Sequence, residues 1–224
     1  VHKSGLDPDS STDIYLGGHC RDDFADLRFT GPDQTTLLSY WIESIASGAA
    51  TVWIKTPTLV PVNNIYIYYD NPIATSLSSG TNTFLFFDDF PGSSLDPTKW
   101  ISGVFSPQFG TGSVSVSNSI ATVTGGNSTW WGMFANGAVF ATPPFTVEFL
   151  YKGIGETIVG VETTATINPS PKDDASFDFS YAKYISCNDN TCNGEGTLSP
   201  VSSYSLLRID VYAGGIKYFI NRSL

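Results

Sequence analysis

The sequence predicts an all-β protein built from two antiparallel β-sandwich domains, residues 1–83 and 84–224. Three observations predict it. Short apolar runs with a period of two recur at regular spacing along the chain. Clusters of Gly, Pro, Asn and Ser separate them. Aromatic residues make up 14% of the chain while Met occurs once, and no segment carries a convincing 3.6-residue period. With 224 residues, 41% of them apolar, the chain is long enough for a real core in each domain.

In the first domain, strands are expected at Asp13–Leu16, Asp26–Thr30, Leu37–Glu43, Thr51–Lys55 and Asn64–Tyr69. Their separators are Gly17-Gly18, Gly31-Pro32-Asp33, Ser47-Gly48 and the run from Pro57 to Pro61, all turn or breaker chemistry. Thr51-Val52-Trp53-Ile54-Lys55 alternates polar and apolar as a half-buried strand does. Asn71-Pro72 ends the Tyr-rich strand, and Ser76–Thr83 reads as a polar connector. The boundary falls near residue 83, with Phe84–Phe90 able to pack against either half.

In the second domain, Pro97-Thr98-Lys99-Trp100 follows an Asp and suits one helical turn. Strands are expected at Ser113–Ser117, Ile120–Thr124, Val139–Thr142, Phe145–Tyr151, Thr157–Thr163, Ser176–Tyr184, Ser205–Tyr212 and Ile216–Asn221. Ala213-Gly214-Gly215 signals a hairpin, because glycine permits a primed turn, and Asn118-Ser119 is a weaker signal of the same kind.

Charge excludes several partners. The chain carries 11 Lys and Arg against 21 Asp and Glu, a net charge of −10, with no basic run. Nucleic acid and anionic lipid both need clustered cations. No stretch approaches the ~20 apolar residues of a membrane span, so no membrane insertion is expected within this segment. No signal peptide is visible, and the opening VHKSGL resembles the interior of a domain. The chain therefore reads as a piece of a longer secreted protein, located outside the cell or on its surface. Asn127-Ser128-Thr129 and Asn221-Arg222-Ser223 fit the N-glycosylation sequon, which makes Asn127 and Asn221 candidate acceptors.

Of the three cysteines, Cys187 and Cys192 enclose the turn-forming Asn188-Asp189-Asn190-Thr191. They read as a disulfide-closed loop rather than free thiols, and the further Cys or His that zinc requires is missing nearby. Cys20 is left over, either buried or paired outside this chain. A catalytic thiol would need a base, and neither His2 nor His19 has an obvious third member beside it.

Five ordered blocks carry a family resemblance. They are Asp22-Asp23-Phe24-Ala25-Asp26-Leu27-Arg28-Phe29-Thr30, Leu37-Leu38-Ser39-Tyr40-Trp41-Ile42-Glu43, Ala50-Thr51-Val52-Trp53-Ile54-Lys55-Thr56-Pro57, Ile65-Tyr66-Ile67-Tyr68-Tyr69-Asp70-Asn71-Pro72 and Phe86-Phe87-Asp88-Asp89-Phe90. Over roughly residues 1 to 90 they resemble the domain of unknown function numbered 2341, found in large secreted or surface proteins of archaea and bacteria. That family usually has Gly where Asp70 stands, and its opening strand is expected before Val1. Residues 84–224 resemble a concanavalin A-like, laminin-G-like jelly roll. The carriers there are Phe87-Asp88-Asp89-Phe90, Ser94-Leu95-Asp96-Pro97-Thr98-Lys99-Trp100, Phe145-Thr146-Val147-Glu148-Phe149 and Leu207-Arg208-Ile209-Asp210-Val211. The resemblance implies fold and location, and no reaction.

Residues 88–100 are also similar to the start of laminarinase-type glycoside hydrolases. Such enzymes set two carboxylates about 5 Å apart on one strand face. None of the five Glu residues (43, 148, 156, 162 and 195) has a partner in that spacing, although Glu148 and Asp210 could face each other across strands. No enzyme activity is expected. Asp88 and Asp89 lie at a strand end where the resemblance implies a structural Ca²⁺. Asp178, Asp210 or a backbone carbonyl could complete it, and the plain alternative is a solvated turn. Trp130 and Trp131, with Asn127, are the candidate glycan contacts. Adjacent strand residues face opposite ways, so one Trp is core and the other exposed, or both pack internally. The expected function is non-catalytic surface display or adhesion with glycan binding. Its rival is a filament subunit that joins other copies of the chain by strand exchange at the edge left by the missing strand.

Overall fold

The computed structural model describes residues 1–5, 13–57, 64–104, 112–125, 131–137, 142–153, 158–162, 174–178, 182–188, 191–199 and 201–221. They form strands in antiparallel pairs and one short helix, so the all-β expectation holds. The chain divides into two compact units, Val1–Asp89 and Phe90–Leu224.

In the first unit, β1 (Arg28–Thr30) pairs with β4 (Tyr66–Tyr68), and β2 (Tyr40–Ala46) pairs with β3 (Ala49–Ile54). Ser47 and Gly48, at φ 52° and 76°, make the β2–β3 turn, whose two left-handed residues match strand twist. Leu16, Cys20, Phe24, Leu27, Phe29, Tyr40 and Ala50 form the buried core. Asp13–Leu16 is not a full strand. Val1–Lys3 lies between it and β3, with His2 bridging Tyr15 on one side and Ala49 on the other. Ala50 N donates to Val1 O at 2.7 Å and Lys3 N to Gly48 O at 2.8 Å. Val1–Lys3 thus runs along the β3 edge.

Trp41 and Trp53 stand opposite each other on the β2–β3 face turned away from the core. Phe84 meets both edge-on, at 5.6 and 5.7 Å, and Phe87 meets Trp41 at 4.8 Å. These rings fix the segment after residue 83 to the first unit. The helix α1 (Gly80–Thr83), capped by Ser79, precedes them. A side chain at Gly80 would lie 2.3 Å from the Phe87 ring, which explains the glycine.

The second unit is built on two sheets. One has the order β10 (Ile158–Glu162), β11 (Asp174–Asp178), β12 (Lys183–Asn188), β13 (Thr191–Glu195); the other has β15 (Gly215–Ile220), β14 (Ser205–Tyr212), β9 (Phe145–Tyr151). Ala175 and Phe177 from the first sheet meet Leu207 and Ile209 from the second in one core with Leu198. The Tyr218 hydroxyl donates to Ile185 O at 2.6 Å and ties the sheets together. Two further pairs are β5 (Trp100–Val104) with β8 (Trp131–Ala135), and β6 (Ser113–Ser117) with β7 (Ile120–Thr124).

Local chemistry explains most turns. Asn118 and Ser119 take positive φ between β6 and β7. Ala213-Gly214 joins β14 to β15, because Gly215 already pairs with Tyr212. Asp96 caps the single turn at Pro97–Trp100, accepting from Thr98 N at 2.8 Å. The expected strand Ser176–Tyr184 is two strands instead, β11 and β12, with Ala182 at φ 54° leading into the second. Val139–Thr142 lies outside the described residues except Thr142, which is not in a strand. Among the described residues, no helix is long and apolar enough to cross a membrane.

Candidate functional site

Strand alternation builds the site. Along β14, Ser205, Leu207 and Ile209 are buried, and Val211 packs on the same core. Leu206, Arg208, Asp210 and Tyr212 therefore take the outward face. On β15, Ile216, Tyr218 and Ile220 pack inward, leaving Lys217 and Phe219 outward. Phe149 and Tyr151 of β9 pack inward, leaving Thr146, Glu148 and Leu150 outward. Register then sets neighbours side by side: Leu150 opposite Leu206, Glu148 opposite Arg208, Thr146 opposite Asp210, and Lys217 opposite Asp210.

Arg208 anchors the centre. Its Nε donates to Asp210 Oδ1 at 2.7 Å and its Nη2 to Oδ2 at 2.9 Å. Its Nη1 lies 3.8 Å from Glu148 Oε1, and its guanidinium sits 5.2 Å from the Phe219 ring centre. Thr146 Oγ1 adds a third hydrogen bond to Asp210, at 2.8 Å. The Arg208 hydrogen bonds hold the Asp210 carboxyl below its ordinary value against the opposing effect of burial, and Thr146 assists. Arg208 is correspondingly raised.

Cation–aromatic pairs stand on both flanks. Lys217 Nζ lies 5.6 Å from the Tyr212 ring, and Lys152 Nζ lies 5.7 Å from the ring of Tyr204, just before β14. Tyr204 is 50% exposed, Tyr212 40% and Leu150 71%. The face is thus a rigid polar centre between exposed apolar groups.

Glu148 and Asp210 do not face each other, since Arg208 stands opposite the first and beside the second. A carboxylate held ionised by a guanidinium is a poor general acid, which glycoside hydrolysis requires. The same contacts do not suit Asp210 as a Ca²⁺ ligand, because both its oxygens already meet a cation. Asp88 and Asp89 belong to the first unit and Asp210 to the second. Among the described residues, no group of three or more His, Cys, Asp or Glu gathers as a metal ion needs.

Of the expected glycan contacts, Asn127 and Trp130 lie outside the described residues. Trp131 is half-buried on β8, its ring against Gly112, where a side chain would lie 2.3 Å from the indole. Its Nε1 is buried with no hydrogen-bond partner among the described residues. Asn221 is exposed, and its side-chain oxygen accepts from Leu206 N at 3.0 Å. Cys187 and Cys192 occupy directly opposed register positions on β12 and β13. Cys20 is buried and free, with its thiol pushed up by desolvation.

The sequence singles out Glu148 and Asp210 on the β9–β14–β15 face but not Arg208, Tyr204 or Tyr212. The alternation of β14 was a usable signal, but the partners from β9 and β15 depend on register.

The architecture defines an all-β protein of two units. Residues 23–103 match the family described as Domain of unknown function (DUF2341), which supports the resemblance of the first unit. Neither a curated protein nor a solved structure matches the chain.

Proposed function

We propose that this chain is a non-catalytic module of an extracellular surface protein, that it serves display and adhesion, and that its second unit binds glycan. The observation that carries the reading is the outward face of β9, β14 and β15. There a fixed Arg208–Asp210–Thr146 network lies between exposed Tyr204, Leu150 and Tyr212. Sugars present hydroxyls to fixed polar groups and C–H faces to aromatic rings, and a pre-ordered site limits the entropy lost on binding. The match to the family of unknown function agrees with a surface setting only through the resemblance drawn from sequence. The strand-exchange alternative rests on the strand expected before Val1, and Val1–Lys3 lies along β3 in this unit.

The test is binding of the whole chain to an array of immobilised glycans, alongside an assay for released reducing sugar. Glycan signal without sugar release is the expected outcome, with signal reduced in Tyr212→Ala. Loss in Trp131→Ala alone would move the site to β8. Release of reducing sugar, abolished by one carboxylate substitution, would refute the non-catalytic reading.

A further inference from the structure

From the same face we infer the shape and charge of the ligand: a linear, electrically neutral glycan lying along β14 from Tyr204 to Tyr212. This inference rests on the glycan-binding reading above. The two tyrosines are eight residues apart, about 27 Å along an extended strand. A monosaccharide or disaccharide cannot touch both rings, whereas a chain of several sugar units can. Between the tyrosines, Leu150 and Leu206 form an apolar step and the Arg208 network a polar one. The path is therefore apolar at both ends and polar near its middle, as a ligand with alternating ring faces and hydroxyls requires.

Charge selects against acidic polymers. Lys152, Arg208 and Lys217 face Glu148 and Asp210, three cations against two carboxylates, so the stripe is nearly balanced within a chain of net charge −10. Each cation also lies over an aromatic ring, and Arg208 is bound to Asp210 through two nitrogens. A polyanion would have to displace these partners and approach an acidic protein. A neutral sugar chain can stack on the tyrosines and leave the Arg208–Asp210 pair intact.

The experiment measures the wild-type chain against length-graded series of neutral glucans, xylans and mannans, disaccharide to hexasaccharide, with oligogalacturonates beside them. The expected result is at least tenfold stronger binding of a neutral hexasaccharide than of its disaccharide. Tyr204→Ala and Tyr212→Ala should each weaken hexasaccharide binding several-fold and leave the disaccharide less affected. Leu150→Glu, at an exposed position between the two tyrosines and opposite Leu206, should block the long ligand while circular dichroism shows an intact fold. Equal binding at all lengths, or wild-type binding by all three variants, would overturn the inference and leave glycan binding standing. Binding confined to oligogalacturonates would overturn its charge argument. Silence on every series would overturn it together with the glycan-binding reading.

Discussion

Asp26 offers the sharpest test of how the first unit is held together. Its side chain is buried, at 2% exposure, and each carboxylate oxygen accepts one backbone amide. Oδ1 takes Arg21 N at 3.0 Å, and Oδ2 takes Asp70 N at 2.8 Å, joining segments 44 residues apart. The second bond pins one end of a polar strap over residues 70–79. Further along, Arg21 Nη1 donates to Pro72 O, Arg28 Nη2 to Thr75 O, and Leu77 N to the Tyr40 hydroxyl. Asp26→Asn keeps the shape but must turn its NH₂ toward one of the two amide donors. One charge-assisted bond is lost, the other becomes neutral, and a buried N–H goes unpaired, at a total cost of about 3 kcal/mol. For a domain of this size that lowers Tm by roughly 10–20 °C. If the strap opens locally, its amides should exchange about a hundredfold faster, since 1.4 kcal/mol is a factor of ten. Hydrogen-exchange mass spectrometry of peptides covering residues 64–79 is the assay. Tyr40→Phe is the companion, because its hydroxyl also donates to Leu27 O, at 2.9 Å. Wild-type protection of the strap in both variants would refute the clamp.

Three other predictions follow from single contacts. Gly80→Ala forces Phe87 off the Trp41 ring and should cost about 1–3 kcal/mol in the first unit, with a shifted tryptophan emission; unchanged melting and emission would contradict the packing. Cys187 and Cys192 oppose each other in an antiparallel pair, about 4.5–5.5 Å between Cα atoms, which suits a disulfide. Thiol titration of the unfolded, unreduced chain should therefore count one free thiol, Cys20, and three would refute the pairing. Asp33 accepts from the Thr36 hydroxyl and from the amides of Thr35 and Thr36, which lower its pKa to about 2. Because the folded value is depressed, its stabilising effect is full above the unfolded carboxylate value and is lost as pH falls from about 4 to about 2. Asp210, lowered chiefly by Arg208, acts in the same direction in the second unit. Asp33→Asn and Asp210→Asn should each flatten the acid limb of stability against pH, read by thermal melts from pH 7 to pH 2, and an unaltered limb would count against the assigned contacts.

Period and turn chemistry made much of the fold legible. Ser113–Ser117 and Ile120–Thr124 stand as strands with the bounds read from alternation, and β14 does too. Patterns failed where pairing partners decide the outcome. Ser176–Tyr184 has nearly continuous strand character, yet β11 ends at Asp178 and β12 begins at Lys183, just after the left-handed Ala182. Residues 70–79 have linker composition, yet a carboxylate, two arginines and a tyrosine from far earlier in the chain hold them in place. One clue was present. Asp70 stands where the resembling family usually has Gly, and its φ of 74° is the left-handed conformation glycine favours. Trp130-Trp131 drew attention because tryptophan is conspicuous in any sequence, whereas Tyr204 and Tyr212 look like ordinary strand aromatics until register places cations over them.

Arg208 links the case for binding with the case against hydrolysis. On the sequence, Glu148 and Asp210 are two carboxylates that cross-strand pairing might bring together as acid and nucleophile. Register instead puts Arg208 opposite Glu148, and two hydrogen bonds commit it to Asp210. The Arg208 hydrogen bonds favour the ionised form of Asp210, so Asp210 is not tuned to release a proton near neutral pH. The same contacts fix three side chains in one geometry before any ligand arrives. Such pre-ordering does nothing to break a glycosidic bond, but it reduces the ordering that binding a sugar would otherwise require.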